Sequence, residues 1–186
     1  MPTSETYPST YTSNTLPFIG LNAVYVQALF ISSALVLPMI AHVLHAPIRY
    51  VLPMHWPVIL AGVLYGWRAG AITGVLAPLM SYLLSGFPLP IILPSMTAEL
   101  FAYGFFAGML RQKFNFNAFI SIGASIVIGR IVFVLFVIVT NRASISDLEY
   151  FKDALLPGLA AAIVQIISIP FISQYIINNY QKDEKM

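Results

Sequence analysis

Residues 55–88 read HWPVILAGVLYGWRAGAITGVLAPLMSYLLSGFP, and this stretch decides the fold. It is almost wholly apolar, and Gly62, Gly66, Gly70 and Gly74 recur in it every four residues. That spacing keeps small residues on one face of a helix, where a second backbone can pack closely. In lipid, helices associate through such close packing rather than through burial of apolar surface. The stretch therefore predicts two tightly apposed membrane helices.

The composition of the whole chain is that of a membrane protein. Of the 186 residues, 59% are hydrophobic and only 9% are charged, whereas soluble domains contain about 25% charged residues. The formal net charge of +2 is small, so no nucleic acid is expected as a partner. The chain has no cysteine, which excludes disulfides, thiolate metal sites and a cysteine nucleophile.

Hydropathy predicts an all-α membrane protein with six transmembrane helices in one compact bundle, because apolar segments long enough to cross the ~30 Å hydrocarbon core recur along the chain. Flanking them we expect a disordered polar N-terminal tail over residues 1–20 and a short charged cytoplasmic tail over residues 181–186, with the six-helix membrane domain over residues 21–180. The spans are expected at about residues 23–44, 52–66, 69–84, 93–110, 118–140 and 155–177.

The distribution of positive charges predicts the orientation. Six spans place both termini on one side, and more Lys and Arg residues lie near the span ends on that side than on the other. Because cytoplasmic loops carry the excess of positive charge, both termini are expected in the cytoplasm. The loops 45–53, 85–92 and 141–153 then face outward. The two sets are Arg68, Arg111, Lys113, Lys182 and Lys185 on the terminal side, and Arg49, Arg142 and Lys152 on the other.

Glu99 and Arg130 are ionisable residues placed well inside predicted spans. A charge at that depth costs roughly 3 kcal/mol in insertion assays, so each should face the interior and find a partner or a ligand. One interpretation is a structural Glu99–Arg130 ion pair at the base of a cavity. The other is that Arg130 offers its planar donors to a ligand carboxylate or carbonyl while Glu99 holds it in place. Both interpretations can hold together.

Helical spacing adds further candidates for a substrate-binding pocket. One polar group per helix at similar depth, among apolar and aromatic neighbours, is typical of a small-molecule site. An interhelical hydrogen bond is the alternative for Gln165, and core packing is the alternative for Tyr103. The shared faces carry Met96, Glu99 and Tyr103 on the fourth span, Arg130 and Asn141 on the fifth, and Gln165 on the sixth.

The outer loops supply possible lids. Phe87 lies in a loop too rich in proline to continue a helix, and it either covers a ligand or sits in the membrane interface. His55 and Trp56 begin the second span opposite that loop, where His55 either contacts the ligand or hydrogen-bonds a helix terminus. The spacing of His42, His45 and His55 matches no tight metal motif, so no metal is expected.

Motifs of the common hydrolases are absent from the chain. It contains no Gly-x-x-x-x-Gly-Lys-Ser/Thr loop, no His-Glu-x-x-His pair and no Gly-x-Ser-x-Gly elbow. These motifs mark nucleotide phosphate binding, zinc hydrolysis and serine hydrolysis, respectively. We therefore expect no enzyme activity and no cofactor, and any ATP must be hydrolysed by separate subunits.

Two stretches carry a family resemblance: residues 52–90, LPMHWPVILAGVLYGWRAGAITGVLAPLMSYLLSGFPLP, and residues 96–113, MTAELFAYGFFAGMLRQK. They resemble the substrate-binding S components of energy-coupling factor (ECF) vitamin transporters. The resemblance implies a six-helix protein of a prokaryotic cell membrane that binds a vitamin from outside. It also implies docking on a transmembrane coupling subunit driven by two ATPase subunits. The family docks through an Ala-x-x-x-Ala motif, best matched here by Ala28 and Ser32, which could instead pack only within this chain.

The function expected from these observations is high-affinity binding of a water-soluble vitamin, or a vitamin precursor, for ATP-driven uptake. Pantothenate is slightly favoured if Arg130, His55 and Arg49 point into the pocket, and hydroxymethylpyrimidine and cobalamin or its ribazole fragment are the other candidates. A stand-alone carrier or channel is the alternative, although the chain lacks the two-fold repeats of many such proteins. An intramembrane enzyme or a non-transport membrane scaffold is the third possibility.

Overall fold

The described part of the protein is built from α-helices. The structure is a computed structural model that describes residues 14–142 and 147–183, and no strand occurs in these residues. Most of the tail predicted over residues 1–20, the end of the predicted C-terminal tail and the side chain of Arg49 lie outside the described part. The helices are α1 (Gly20–Val43), α2 (Ile48–Val51), α3 (His55–Tyr65), α4 (Trp67–Ser85), α5 (Leu93–Gln112), α6 (Ala118–Val139), α7 (Leu148–Leu155) and α8 (Pro157–Asp183).

Three segments of the described chain are long and apolar enough to cross a membrane: Gly20–Val43, Ala118–Val139 and Leu148–Lys182. Helix α3 is apolar but has only 11 residues, so it is ~16 Å long and reaches about half-way through the hydrocarbon core. The all-α, membrane-protein character agrees with the hydropathy prediction. That the chain crosses the membrane six times, and that both termini lie in the cytoplasm, stay predictions.

The glycine ladder packs against α5. A Cβ built on Gly70 would collide with the carbonyl oxygen of Gly104, and a Cβ on Gly104 would collide with that of Gly70. Added Cβ atoms on Gly62 and Gly74 would also meet α5 carbonyl oxygens, those of Gly104 and Leu100. Helices α3 and α4 are neighbours, as predicted. However, the spacing predicted a close backbone contact between α3 and α4. In the structure, the glycines of both helices instead contact the backbone of α5.

Gly66 makes the sharp reversal between α3 and α4, since it is the single residue between them. Its φ angle is +86°, a conformation that residues with a Cβ rarely adopt. The side chain of Gln112, at the end of α5, occupies the space that a Cβ on Gly66 would need. Gly66, the second glycine of the ladder, therefore forms a turn.

The remaining helices surround this central group of α3, α4 and α5. Helix α1 packs on α3 and α4, helix α6 packs on α5, and helix α8 packs on α6, α2 and α3. The main core joins buried side chains from six helices, α1, α3, α4, α5, α6 and α8, among them Ala34, Val58, Leu100, Ile122 and Ile169. Helix α5 thus lies at the centre, in contact with the two helices before it and the one after it.

Two short helices lie in segments predicted as loops. Helix α2 lies within the loop 45–53, and most of α7 lies within the polar loop 141–153. Helix α7 buries none of its residues. Hydropathy is averaged over windows of about 19 residues, so short polar helices give no signal. Both segments still connect long helices, as the sequence predicted, but each contains a short helix that the sequence did not predict.

We expect Gly104→Ala to destabilise the protein, because its methyl group would meet the Gly70 backbone and force α4 and α5 apart. Overpacking of this kind costs about 1–3 kcal/mol, measurable as a lower thermal unfolding midpoint in detergent. Gly123→Ala in α6 is the matched control, since a Cβ there has no neighbour within 4 Å. It should leave the midpoint unchanged or raise it. Equal midpoints for Gly104→Ala and the unaltered protein would contradict this packing.

Candidate functional site

A buried ion pair joins α5 to α6. Arg130 Nη1 lies 2.9 Å from Glu99 Oε1, and the side chains are 21% and 6% exposed, respectively. The hydroxyl of Tyr103 donates a hydrogen bond of 2.7 Å to the same carboxylate oxygen. The ion pair that the sequence suggested as one interpretation therefore forms, and Tyr103, one helical turn after Glu99, adds a second donor to it.

Glycines make room for the two partners of Glu99. The ring of Tyr103 fills the space where Gly129 would carry a Cβ, and the guanidinium of Arg130 fills that space at Gly158. A side chain at Gly129 would push the Tyr103 ring off α6. A side chain at Gly158 would displace the Arg130 head group from the start of α8. Both glycines thus fix where the ion pair sits.

A cavity that is larger than the other cavities described here opens at the Arg130 side of this pair. Its volume is about 740 Å³, within the range of small-molecule sites. Its walls come from the start of α5, the second half of α6, the α6–α7 connection, α7 and the first turn of α8. The polar lining residues are Ser95, Arg130, Asn141, Arg142, Tyr150 and Asp153. Glu99 and Tyr103 lie behind Arg130 and do not line this cavity.

The cavity wall carries two arginines and one carboxylate among its described residues: Arg130, Arg142 and Asp153. Glu99 lies behind this wall, where it pairs with Arg130 and balances its charge. Pro157 and Gly158 also line the cavity, so the first turn of the 27-residue helix α8 lies at its wall. Arg142 also donates to the backbone carbonyl of Ile91, which connects the α6–α7 segment to the loop before α5.

A smaller cavity contains a different subset of the predicted residues. His55, Phe87 and Met96 line a space of about 160 Å³ under the proline-rich loop. Phe87 is 62% exposed, so it rims this space rather than closing it. Leu52 lines both cavities, which places them side by side. The structure therefore divides the predicted site into two compartments.

Four side chains among the described residues have buried polar atoms without a hydrogen-bond partner: Gln27, His55, Ser121 and Gln165. Neither ring nitrogen of His55 has one, and Gln165 Nε2 has none. The His55 ring lies 5.2 Å from the Tyr103 ring, centroid to centroid. A buried polar atom left unpaired costs about 1–3 kcal/mol. These atoms are therefore places where a ligand or a water molecule would gain hydrogen bonds. The interhelical hydrogen bond considered for Gln165 is not made by its Nε2 atom.

Trp56 has a local role. Its indole Nε1 donates a hydrogen bond of 3.2 Å to the carbonyl of Val51, at the end of α2. The side chain is half-buried against the main core and lines neither of the two cavities. In this structure Trp56 therefore ties α2 to the start of α3.

A third cavity is apolar and also reaches Arg130. It has a volume of about 540 Å³ and lies between α6 and α8. Arg130 and Gly158 line both this cavity and the largest one. A ligand held at Arg130 would thus have a polar space on one side and an apolar space on the other.

The residues predicted for docking lie on an open face. Ala28 and Ser32 are both exposed, so they do not pack within this chain. Only Phe30, Ala34 and Ala41 are buried on α1. Most of this long apolar helix is therefore available to lipid or to another membrane protein.

Some lining residues were not predicted from the sequence, notably Ser95, Arg142, Tyr150 and Asp153. Ser95 stands one turn before Glu99 on α5, which was a usable signal. Tyr150 and Asp153 are three residues apart on α7, a helix that hydropathy did not detect. Arg142 had been assigned to the outer loop only as a charge that sets orientation.

Comparison with known proteins identifies the family. The family model described as ECF transporter, substrate-specific component, matches residues 22–178. Of the described helices, only the first two residues of α1 and the last five residues of α8 lie outside this match. Comparisons with curated proteins and with solved structures gave no match. The chain therefore belongs to the family of ECF transporter substrate-specific components, the membrane subunits that bind the substrate of an uptake transporter.

Proposed function

We propose that this protein captures a small anionic vitamin or vitamin precursor from outside the cell, in the largest cavity. The observation that carries the proposal is Arg130, which is oriented by Glu99 inside the membrane domain and exposes part of its guanidinium to that cavity. A planar guanidinium can bind a carboxylate through two parallel hydrogen bonds. The cavity volume of about 740 Å³ suits a molecule of vitamin size.

Pantothenate is the favoured substrate. It carries one carboxylate, for which Arg130 and Arg142 supply positively charged hydrogen-bond donors. Its amide and hydroxyl groups could pair with Ser95, Asn141 and Asp153, and its two methyl groups suit the apolar space beside Arg130. Hydroxymethylpyrimidine and cobalamin or ribazole remain alternatives, and a neutral ligand would use the arginines less well.

The other predicted residues have supporting roles in this proposal. Glu99 and Tyr103 are positioning residues, since they contact Arg130 or its partner and not the cavity. His55, Met96 and Phe87 form the adjoining compartment, where Phe87 would cover bound ligand. Gln165 would pair its free Nε2 on binding, and Trp56 would hold α2 beside the cavity.

Uptake would require partners. The protein would cross the cell membrane of a prokaryote six times with both termini in the cytoplasm, and α1 would dock through Ala28 and Ser32 on a transmembrane coupling subunit. Two ATPase subunits would supply the energy, because this chain has no nucleotide-binding motif. A stand-alone carrier or channel would need no such partners, and a scaffold would need no ligand.

We expect Arg130→Gln to weaken substrate binding by about 10- to 100-fold, the equivalent of one charge-assisted hydrogen bond. Mass spectrometry of small molecules that co-purify with the protein comes first, followed by calorimetric titration with pantothenate in detergent. Lys182→Gln, at the far end of α8, is the charge-matched control and should bind normally. Normal affinity in the Arg130 variant would contradict the proposed site.

Stability must be separated from binding in this experiment. Arg130→Gln leaves Glu99 buried without its cation, which costs about 3–5 kcal/mol. The double variant Glu99→Gln/Arg130→Gln removes both charges and should recover most of the unfolding midpoint. It should still fail to bind. A double variant that folds and binds normally would favour the scaffold or another site.

Docking and energy coupling predict a second result. Purified protein in proteoliposomes should take up no pantothenate alone, and should take it up when the coupling and ATPase subunits and ATP are added. Ser32→Trp should block assembly with the coupling subunit, because a small contact face becomes bulky, but leave ligand binding intact. Ile167→Trp, on an exposed face of α8 that lines none of the cavities described here, is the control and should assemble. Uptake by the protein alone would favour the stand-alone carrier.

A further inference from the structure

The geometry points to a binding site for an anionic phospholipid at one end of α5. The cavity of about 740 Å³ at Arg130, the substrate cavity, lies at the opposite end of this helix. A cavity of about 430 Å³ lies where α3 ends, α4 begins and α5 ends. Helix α5 has 20 residues, so this cavity lies ~30 Å from the substrate cavity along the helix axis. It belongs to the other surface of the membrane domain, and the proposed function does not use it.

The segment before α1, residues 15–19, forms one side of this cavity, and the other side includes two cations and one indole. The Arg68 guanidinium carbon lies 5.3 Å from the centroid of the Trp67 ring. Lys113 Nζ lies 5.5 Å from the same centroid. Both cations are exposed, and neither forms an ion pair with a described acidic residue. None of the described residues that line the cavity is acidic. Within the described part of the chain, the site therefore offers two positive charges without a counter-ion.

An aromatic path leads from this head-group position along α5. The Trp67 ring contacts Phe105 edge-on at a centroid distance of 5.7 Å. Phe105 stacks on Phe101 at 5.4 Å. Phe101 is 40% exposed and stands one turn deeper along the helix. The path thus runs from the basic cavity towards the middle of the apolar segment, which is the direction of an acyl chain.

This continuity favours a lipid over a free phosphate ion. A phosphate ion would use Arg68 and Lys113 only, whereas a phospholipid would also cover the exposed part of Phe101 and Phe105. Tryptophan also prefers the membrane–water interface, where its ring is apolar and its N–H is wet. Basic residues at that level attract anionic lipid head groups. An anionic phospholipid such as phosphatidylglycerol fits all five side chains: Arg68, Lys113, Trp67, Phe101 and Phe105.

The test uses Trp67 as the probe. The chain has two tryptophans, so a Trp56→Phe background leaves Trp67 as the only one. In this background, fluorescence quenching by phosphatidylglycerol with brominated acyl chains is compared with quenching by brominated phosphatidylcholine. We expect half-maximal quenching at about 30-fold lower mole fraction of the anionic lipid, since two basic residues each favour an anionic lipid about fivefold.

Charge-removal variants decide the outcome. Arg68→Gln/Lys113→Gln should abolish the preference for phosphatidylglycerol while quenching by phosphatidylcholine persists. Lys152→Gln/Lys182→Gln removes the same net charge elsewhere and should retain the preference. Equal quenching by the two lipids in the Trp56→Phe background, or an unchanged preference in the Arg68/Lys113 variant, would overturn the proposal. Displacement of brominated phosphatidylglycerol by millimolar inorganic phosphate would also overturn it, in favour of an anion site. None of these three results would bear on substrate binding.

Discussion

The backbone contact between Gly70 and Gly104 is the constraint on which the rest of the structure depends. It brings α4 and α5 closer than any side chain would allow, and Gly62 brings α3 onto the same part of α5. In a membrane, such contact is the main source of helix association, because lipid already solvates apolar side chains. Once α5 is held on one side by glycines, its other face is available to α6, and this is the face that carries the buried charge.

The ion pair is the polar counterpart of that contact. Glu99 would be costly in an apolar interior, and Arg130 together with the Tyr103 hydroxyl provides it with two donors. Because Glu99 accepts from Arg130, the guanidinium is kept at the cavity wall in a fixed orientation. Gly129 and Gly158 leave the space for this arrangement. Close packing and charge placement therefore depend on each other. Glycines allow α5 and α6 to pack closely, and the buried Glu99 then orients Arg130, which lines the ligand cavity.

Helix α5 also separates two chemically different ends of the molecule. At its first turns lie Ser95 and the large cavity, whose two arginines, Arg130 and Arg142, can donate hydrogen bonds to a small molecule. At its last turn lie Lys113 and the basic cavity at Trp67, whose neighbouring aromatic rings suit a lipid. Helix α1 contributes little to either end, and most of its surface is exposed. An apolar helix left open in this way suits a membrane subunit that assembles with another protein.

The sequence by itself determined the membrane character, the approximate positions of the long helices and the two buried charges, because hydropathy and helical period are local properties. It also indicated that glycines mark a close-contact face. It could not name the partner of that face, since α4 and α5 meet only through tertiary packing. The same limit applies to the site. Arg130 and Asn141 share a cavity with Arg142, Tyr150 and Asp153, whereas His55, Met96 and Phe87 line a separate one. Which helix ends and connections converge on one cavity depends on how the helices pack, and no local pattern records this.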